Sequence, residues 1–133
     1  MKNGFSLIEV FVVLCIVAIM SSIAIPTYLN HLQKTRRLEA KTALFRLATY
    51  LEKYAIEHGS YESITINKTH SSGGWYILTI SSLTPTSYSL SATPRLAQAK
   101  DRLCQTFTLN SLGVKGIAEG PIGIPSGTVK VCW

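Results

Sequence analysis

One apolar run dominates the N-terminal part of the chain. Residues 5–25 read FSLIEVFVVLCIVAIMSSIAI, and their only strongly polar member is the acid Glu9. About 20 apolar residues suffice for a helix to cross a bilayer. A secretory signal peptide would have a shorter apolar core followed by a cleavage site of small residues, which Ala18 and Ser21–Ser22 match only weakly. We therefore predict a membrane helix that is retained rather than a signal peptide that is removed.

Helical periodicity continues beyond Pro26. We expect Pro26 to kink or locally melt the helix, because proline lacks an N–H group and crowds the preceding turn. Gly59, which follows His58, is expected to form a left-handed C-terminal cap. Apolar residues at three- and four-residue spacing predict one buried face of an amphipathic helix between these two points. They are Ala40, Ala43, Leu44, Leu47, Leu51, Tyr54 and Ala55.

The C-terminal half has the pattern of β-strands. Tyr88, Leu90 and Ala92 alternate with serines, as in a half-buried antiparallel strand. We expect a turn at residues 111–113 and an extended loop at 116–127. The pattern predicts an α+β fold, in which a long N-terminal helix packs on an antiparallel sheet of about four strands. The four predicted strands, which are rich in β-branched and aromatic residues, are 75–80, 87–92, 103–109 and 128–133.

The basic residues of the chain form two groups. The 133 residues have a net charge of +6. Lys34, Arg36 and Arg37 form a tight basic cluster, and the charges that follow nearly balance, as on a solvated helix. A looser basic set could form a stripe that contacts DNA phosphates, or it could simply keep a solvated surface soluble. Its members are Arg95, Lys100, Arg102, Lys115 and Lys130.

The three cysteines fall into two environments. Cys15 lies in the apolar run, where a thiol packs like a small hydrophobic side chain. Cys104 and Cys132 lie in the polar half. They either form a disulfide, which would stabilise the fold by about 3 to 4 kcal/mol and require an oxidising compartment, or remain two reduced thiols. No spacing of Cys and His predicts a metal site.

The chain lacks the residue patterns that enzymes use. His31, His58 and His70 have no acidic partner at a useful spacing, and residues 71–74 are too short and lack a lysine for a phosphate-binding loop. Asp101 stands alone among basic residues, which argues against a calcium site. We therefore predict no catalytic residues, no metal and no cofactor.

Residues 4–9, GFSLIE, resemble the processing site of type IV prepilins, and the likeness continues through residues 25–28 and 37–40. It implies that residues 1–4 are a leader peptide, that a prepilin peptidase cuts after Gly4, and that Phe5 becomes N-methylated. It also implies that Glu9 meets the freed amine of a neighbouring subunit during assembly. Such pairing would neutralise two groups in apolar surroundings, whereas the alternative is that Glu9 reaches the lipid head groups.

The C-terminal half is similar to PilE-type minor pilins. The likeness covers residues 88–94, 104–110 and 113–115 and the final Cys132–Trp133, but Gln105 stands where a glycine often follows the first cysteine. It implies a type IV pilin fold, with a transmembrane and assembly helix at 5–26 and a globular domain at 27–133. It also implies a Cys104–Cys132 disulfide that closes a C-terminal loop.

The resemblance implies a structural role, as a minor subunit of a type IV pilus that supports twitching motility, adhesion or DNA uptake. Expected partners are other pilin subunits, the prepilin peptidase and the inner-membrane assembly machinery. Lys2 favours a cytoplasmic N-terminus and a single pass through the inner membrane before assembly into an extracellular pilus. The alternatives are a DNA-binding receptor for transformation and a type II secretion pseudopilin.

Overall fold

A computed structural model describes residues 4–66 and 69–133. The chain divides into two compact units, with the division between Lys34 and Thr35. Its elements are α1 (Leu7–His58), β1 (Thr69–His70), β2 (Tyr76–Leu83), β3 (Tyr88–Pro94), a 3-10 helix (Leu96–Lys100), β4 (Thr106–Asn110), β5 (Lys115–Ala118) and α2 (Val129–Cys132).

The first unit consists of the N-terminal part of α1. This helix is long and apolar enough to cross a membrane, and nearly all of its side chains in this unit are exposed. It begins at Leu7, two residues later than predicted, and continues through Pro26 without interruption. The predicted melting at Pro26 is therefore wrong, because proline removes only one backbone hydrogen bond from the helix.

The second unit contains the hydrophobic core. The predicted apolar face of α1 is confirmed at Ala40, Leu44, Leu47 and Leu51, which are buried, whereas Ala43, Tyr54 and Ala55 are half-buried. The face packs on sheet residues that include Tyr76, Leu90 and Phe107. The helix ends as predicted: Gly59 has a positive φ of 74°, and its N–H group donates to the carbonyl of Ala55 at 2.7 Å.

The sheet has five antiparallel strands in sequential order. The first three predicted strands are confirmed as β2, β3 and β4, and the inward side chains of β3 alternate as expected. The turn at 111–113 is also confirmed, since the N–H group of Gly113 donates to the carbonyl of Asn110 at 2.9 Å. This turn brings β5 beside β4, so part of the predicted 116–127 loop is a strand. Gly116 permits the close approach, because a Cβ there would lie 2.5 Å from Oγ1 of Thr108.

The fourth predicted strand, at 128–133, is wrong. Val129–Cys132 forms the short helix α2. Local sequence favours a strand here, but Cys132 must lie against Cys104 in the core. Trp133 packs against Phe107, with 5.7 Å between the centres of the two rings. Tertiary packing therefore overrides the β-propensity of the segment.

A buried ion pair links α1 to the connection between β3 and β4. Arg37, which belongs to the basic cluster with Lys34 and Arg36, is buried, as is Asp101. Nε of Arg37 donates to Oδ2 of Asp101 at 2.7 Å, and Nη2 donates to Oδ1 at 2.8 Å. Gln98 donates from Nε2 to both Asp101 and the hydroxyl of Tyr76, and burial raises the pKa of Tyr76. Asp101 is therefore not an isolated acid.

Replacing Asp101 with Asn should destabilise the second unit, because Arg37 would remain buried without a counter-charge. Removing one partner of a buried ion pair costs about 3–5 kcal/mol. We therefore expect the free energy of unfolding to fall by roughly 3 kcal/mol in Asp101→Asn. Urea unfolding of the full chain in detergent micelles, followed by tryptophan fluorescence, measures the change.

Glu57→Gln is the matched control, because it makes the same change from carboxylate to amide. Glu57 and Lys53 form an exposed pair with an N–O distance of 4.0 Å, and such surface pairs contribute little. Equal losses of stability in the two variants would show that the Arg37–Asp101 pair has no special role in the fold.

Candidate functional sites

The first candidate site lies at the start of α1. Gly4 and Phe5 precede the helix, and Phe5 is 86% exposed. Among the described residues, a Cβ added at Gly4 would meet nothing within 4 Å, so none of them crowds the backbone beside Phe5. Glu9 lies in the first turn, beside the exposed side chains of Phe5 and Ile8.

Glu9 has a local role that the sequence analysis missed. Its Oε2 accepts a hydrogen bond from the N–H group of Ser6 at 2.8 Å. Ser6-Leu7-Ile8-Glu9 has the spacing of a capping box, in which the acid satisfies a backbone donor just before the helix. This pattern could have been recognised from the sequence. The helix dipole also favours a negative charge at this position.

The second site is the loop closed by a disulfide between Cys104 and Cys132, which are 28 residues apart. Both cysteines are buried in the hydrophobic core, and the pairing implied by the family resemblance is confirmed. In the chain-entropy model a loop of this length corresponds to a stabilisation of about 3 to 4 kcal/mol. The bond fixes α2 against the start of β4.

Gln105, which departs from the glycine common in PilE-type pilins, now has a structural explanation. Its φ of 42° lies in the left-handed region that favours glycine. The side chain is buried, and its Nε2 donates to the carbonyl of Asp101. Gly120 packs directly on it, since a Cβ at Gly120 would clash with Oε1 of Gln105. Gln105 therefore ties the disulfide-closed loop to the β3–β4 connection.

Three of the five candidate DNA-binding residues lie on that connection. Arg95 immediately precedes the 3-10 helix, Lys100 is its last residue, and Arg102 lies two residues beyond it. Lys100 and Arg102 are exposed, and Arg95 is half-buried. The carbonyl of Arg102 accepts hydrogen bonds from Ser126, at 2.9 Å from N and 3.1 Å from Oγ. The β3–β4 connection therefore contacts the end of the disulfide-closed loop.

Lys115 lies in a different environment, against aromatic rings. Its Nζ is 5.6 Å from the ring centre of Phe45 and 5.5 Å from that of Trp133. Nearby, Lys41 donates to the carbonyl of Trp133 at 3.1 Å. Burial, followed by the charges of Arg37 and Lys115, lowers the pKa of Lys41. Lys130, the fifth candidate, is exposed on α2.

The architecture is that of a type IV pilin. It superposes on the crystal structure of the non-core minor pilin PilV from Neisseria meningitidis with a TM-score of 0.57, at 21% identity, covering 73% of this chain and 97% of PilV. Residues 26–108 match the family described as type IV minor pilin ComP, DNA uptake sequence receptor. Because the match covers more than half of the chain, this protein belongs to that family.

Sequence relatives match a shorter region. The chain is 39% identical over 62 residues to the prepilin peptidase-dependent protein D of Escherichia coli K12, covering 47% of this chain and 42% of the relative. It is 27% identical over 62 residues to the type II secretion system core protein G of Pectobacterium carotovorum, covering 47% and 40%. The chain thus aligns with less than half the length of these curated relatives.

Proposed function

We propose that the chain is a structural minor subunit of a type IV pilus, held in the inner membrane by residues 5–26 before assembly. The observation that supports this most directly is the combination of an apolar helix with a disulfide-bonded unit in one chain. An exposed apolar helix with one acid near its start continues into a compact, disulfide-bonded unit. Because disulfides persist in oxidising compartments, residues 27–133 lie outside the cytoplasm. The subunit acts by assembly and binding rather than by catalysis.

In this proposal residues 1–4 are a leader that the prepilin peptidase removes. The Gly4–Phe5 bond is the cleavage site, and the new amine of Phe5 is methylated. A carboxylate within the membrane costs about 3 kcal/mol, and a cationic partner for Glu9 would offset this cost. Its Oε2 caps Ser6, and the carboxylate group can also accept the amine of a neighbouring subunit. Pairing of this kind would set the register between subunits in the filament.

Membership of the ComP family favours the pilus over the type II secretion alternative. The similarity to core protein G is 27% over 62 residues. The helix alone does not separate the two systems, because an apolar anchor serves either kind of filament.

Protein recovered from sheared pili should begin at Phe5. We expect its intact mass to correspond to residues 5–133 with one added methyl group and one disulfide, and N-terminal sequencing should start with N-methylphenylalanine. Gly4→Leu, which places a side chain beside the scissile bond, should retain the leader. Recovery of a soluble product that begins downstream of Ser22 would overturn the proposal.

Glu9→Val should lower incorporation into pili while leaving the chain in the membrane. Loss of a pairing worth about 1.4 kcal/mol changes an equilibrium tenfold, so we expect the ratio of pilus to membrane protein to fall by about tenfold or more. Immunoblots of sheared and membrane fractions measure this ratio. Glu57→Gln, at an exposed acid on the second unit, is the control. Normal incorporation of Glu9→Val would contradict the assembly role.

A second proposed function is DNA binding during uptake. The description of the family includes a DNA uptake sequence receptor, and three cations are presented on the β3–β4 connection. In the described residues, none of Arg95, Lys100 and Arg102 forms an ion pair. Phosphate contacts by such residues supply the salt-dependent part of DNA affinity.

Lys100→Ala/Arg102→Ala should weaken binding to duplex DNA and reduce its salt dependence. The slope of log K against log salt is negative, and each lost phosphate contact reduces its magnitude by about 0.9. Loss of two contacts should therefore make the slope shallower by about 2. Fluorescence anisotropy of labelled duplex DNA with the full chain in non-ionic detergent measures the slope. Arg46→Ala/Lys53→Ala, which removes one Arg and one Lys from exposed positions on α1, is the matched control. No binding by the wild type at low salt would remove DNA binding from the proposed function.

A further inference from the structure

The segment that contains four of the five candidate DNA-binding residues has one acid. Between Glu62 and Glu119 the sequence contains no Asp or Glu except Asp101, and Asp101 lies directly between Lys100 and Arg102. An exposed carboxylate there would repel phosphates and would partly cancel the two cations beside it. Its placement therefore decides whether this connection can bind a polyanion.

The structure places the carboxylate of Asp101 in the interior. Oδ2 accepts from Nε of Arg37 at 2.7 Å and from Nε2 of Gln98 at 3.2 Å. Oδ1 accepts from Nη2 of Arg37 at 2.8 Å and from the N–H group of Leu103 at 3.1 Å. Asp101 is only 3% exposed. Its charge is therefore both removed from the surface and neutralised, while the neighbouring cations remain outside.

The pair also fixes the backbone that carries those cations. The N–H group of Asp101 donates to the carbonyl of Gln98 at 3.0 Å, and its own carbonyl accepts from Gln105. The residues on either side of Asp101 are thus attached to a buried residue that is hydrogen-bonded through its side chain and both of its backbone polar groups. Lys100 and Arg102 reach solvent from fixed positions, which lowers the entropy lost when they bind.

A neighbouring arginine of α1 holds the other end of the same connection. The guanidinium of Arg36 lies 3.5 Å from the ring centre of Trp75, and the carbonyl of Trp75 accepts from the N–H group of Arg95 at 2.9 Å. Two consecutive arginines of the helix therefore secure both ends of the Arg95–Arg102 connection. Neither belongs to the exposed set that the sequence assigns to DNA.

We propose that the Arg37–Asp101 pair is a positioning element for DNA binding, which directs Lys100 and Arg102 onto the phosphate backbone of duplex DNA. This inference rests on the proposed DNA-binding function. Arg37 and Asp101 do not contact DNA themselves and act through the two cations. The role requires arginine, because a lysine ammonium cannot make the two parallel hydrogen bonds that a guanidinium makes to a carboxylate.

Arg37→Lys tests the proposal, since it keeps the buried positive charge but loses the bidentate geometry. In the anisotropy assay with the full chain in non-ionic detergent, we expect the magnitude of the slope of log K against log salt to fall by about 1 to 2, as on loss of one or two phosphate contacts. Arg46→Lys, the same change at an exposed position of α1, should leave affinity and slope unchanged. Thermal unfolding and a count of free thiols, which should report only Cys15, verify that each variant is folded.

A double-mutant cycle separates positioning from general destabilisation. In the Lys100→Ala/Arg102→Ala background, Arg37→Lys should cause no further loss of affinity, because the residues it positions are absent. An equal loss in both backgrounds, or no loss in the wild-type background, would overturn the inference while leaving DNA binding intact. Absence of binding by the wild type would instead overturn the DNA-binding function itself.

A second variant keeps the test valid if Arg37→Lys does not fold. Arg37→Met/Asp101→Leu replaces the pair with apolar side chains and leaves no buried charge unpaired, a change that folded proteins tolerate. It should reduce the salt slope as Arg37→Lys does. A folded double variant with wild-type affinity and slope would exclude the positioning role.

Discussion

The guanidinium of Arg37 and the carboxylate of Asp101 are buried together. Their burial is stable only while both groups keep their hydrogen-bond partners. Charges removed from water are stable only when paired and fully satisfied. The requirement fixes where the β3–β4 connection meets α1, because both carboxylate oxygens are filled by donors from Arg37, Gln98 and Leu103. The start of the disulfide-closed loop then follows from Gln105, which donates to the carbonyl of Asp101.

Polar residues of α1 attach other segments of the second unit in a similar way. Glu39 accepts from the N–H group of Gly73 at 2.7 Å, in the turn before β2. Glu52 accepts from the hydroxyls of Tyr61 and Tyr88 at 2.8 and 2.9 Å. Burial, followed by the hydrogen bond to this carboxylate, raises the pKa of Tyr88. The helix therefore organises its surroundings through directed polar contacts as well as through its apolar face.

These contacts connect the architecture of a ComP-family minor pilin to its two proposed roles. The exposed apolar helix, with Glu9 near its start, suits assembly with other subunits in a low-dielectric environment. The second unit presents a basic connection whose single acid is withdrawn into the core. The residues proposed for assembly near Glu9 and the cations proposed for DNA binding are separate groups, although Arg36 and Arg37 of α1 hold the basic connection in place.

The sequence by itself determined the elements whose cause is local. The apolar run, the amphipathic face through Leu44 and Leu51, the Gly59 cap and the alternation in β3 all follow from periodicity or backbone preference along one segment. The Ser6–Glu9 capping box was equally local, although the sequence analysis missed it.

Only the tertiary structure decided the features that depend on contacts between distant residues. Arg37 belongs to the same basic cluster as Lys34 and Arg36 in the sequence, but its burial depends on Asp101, which lies 64 residues away. Residues 128–133 have strand-forming side chains, but the bond from Cys132 to Cys104 and the packing of Trp133 select a helix. A local pattern records the propensity of its own segment, whereas burial of a charge is set by the partner that folding brings to it.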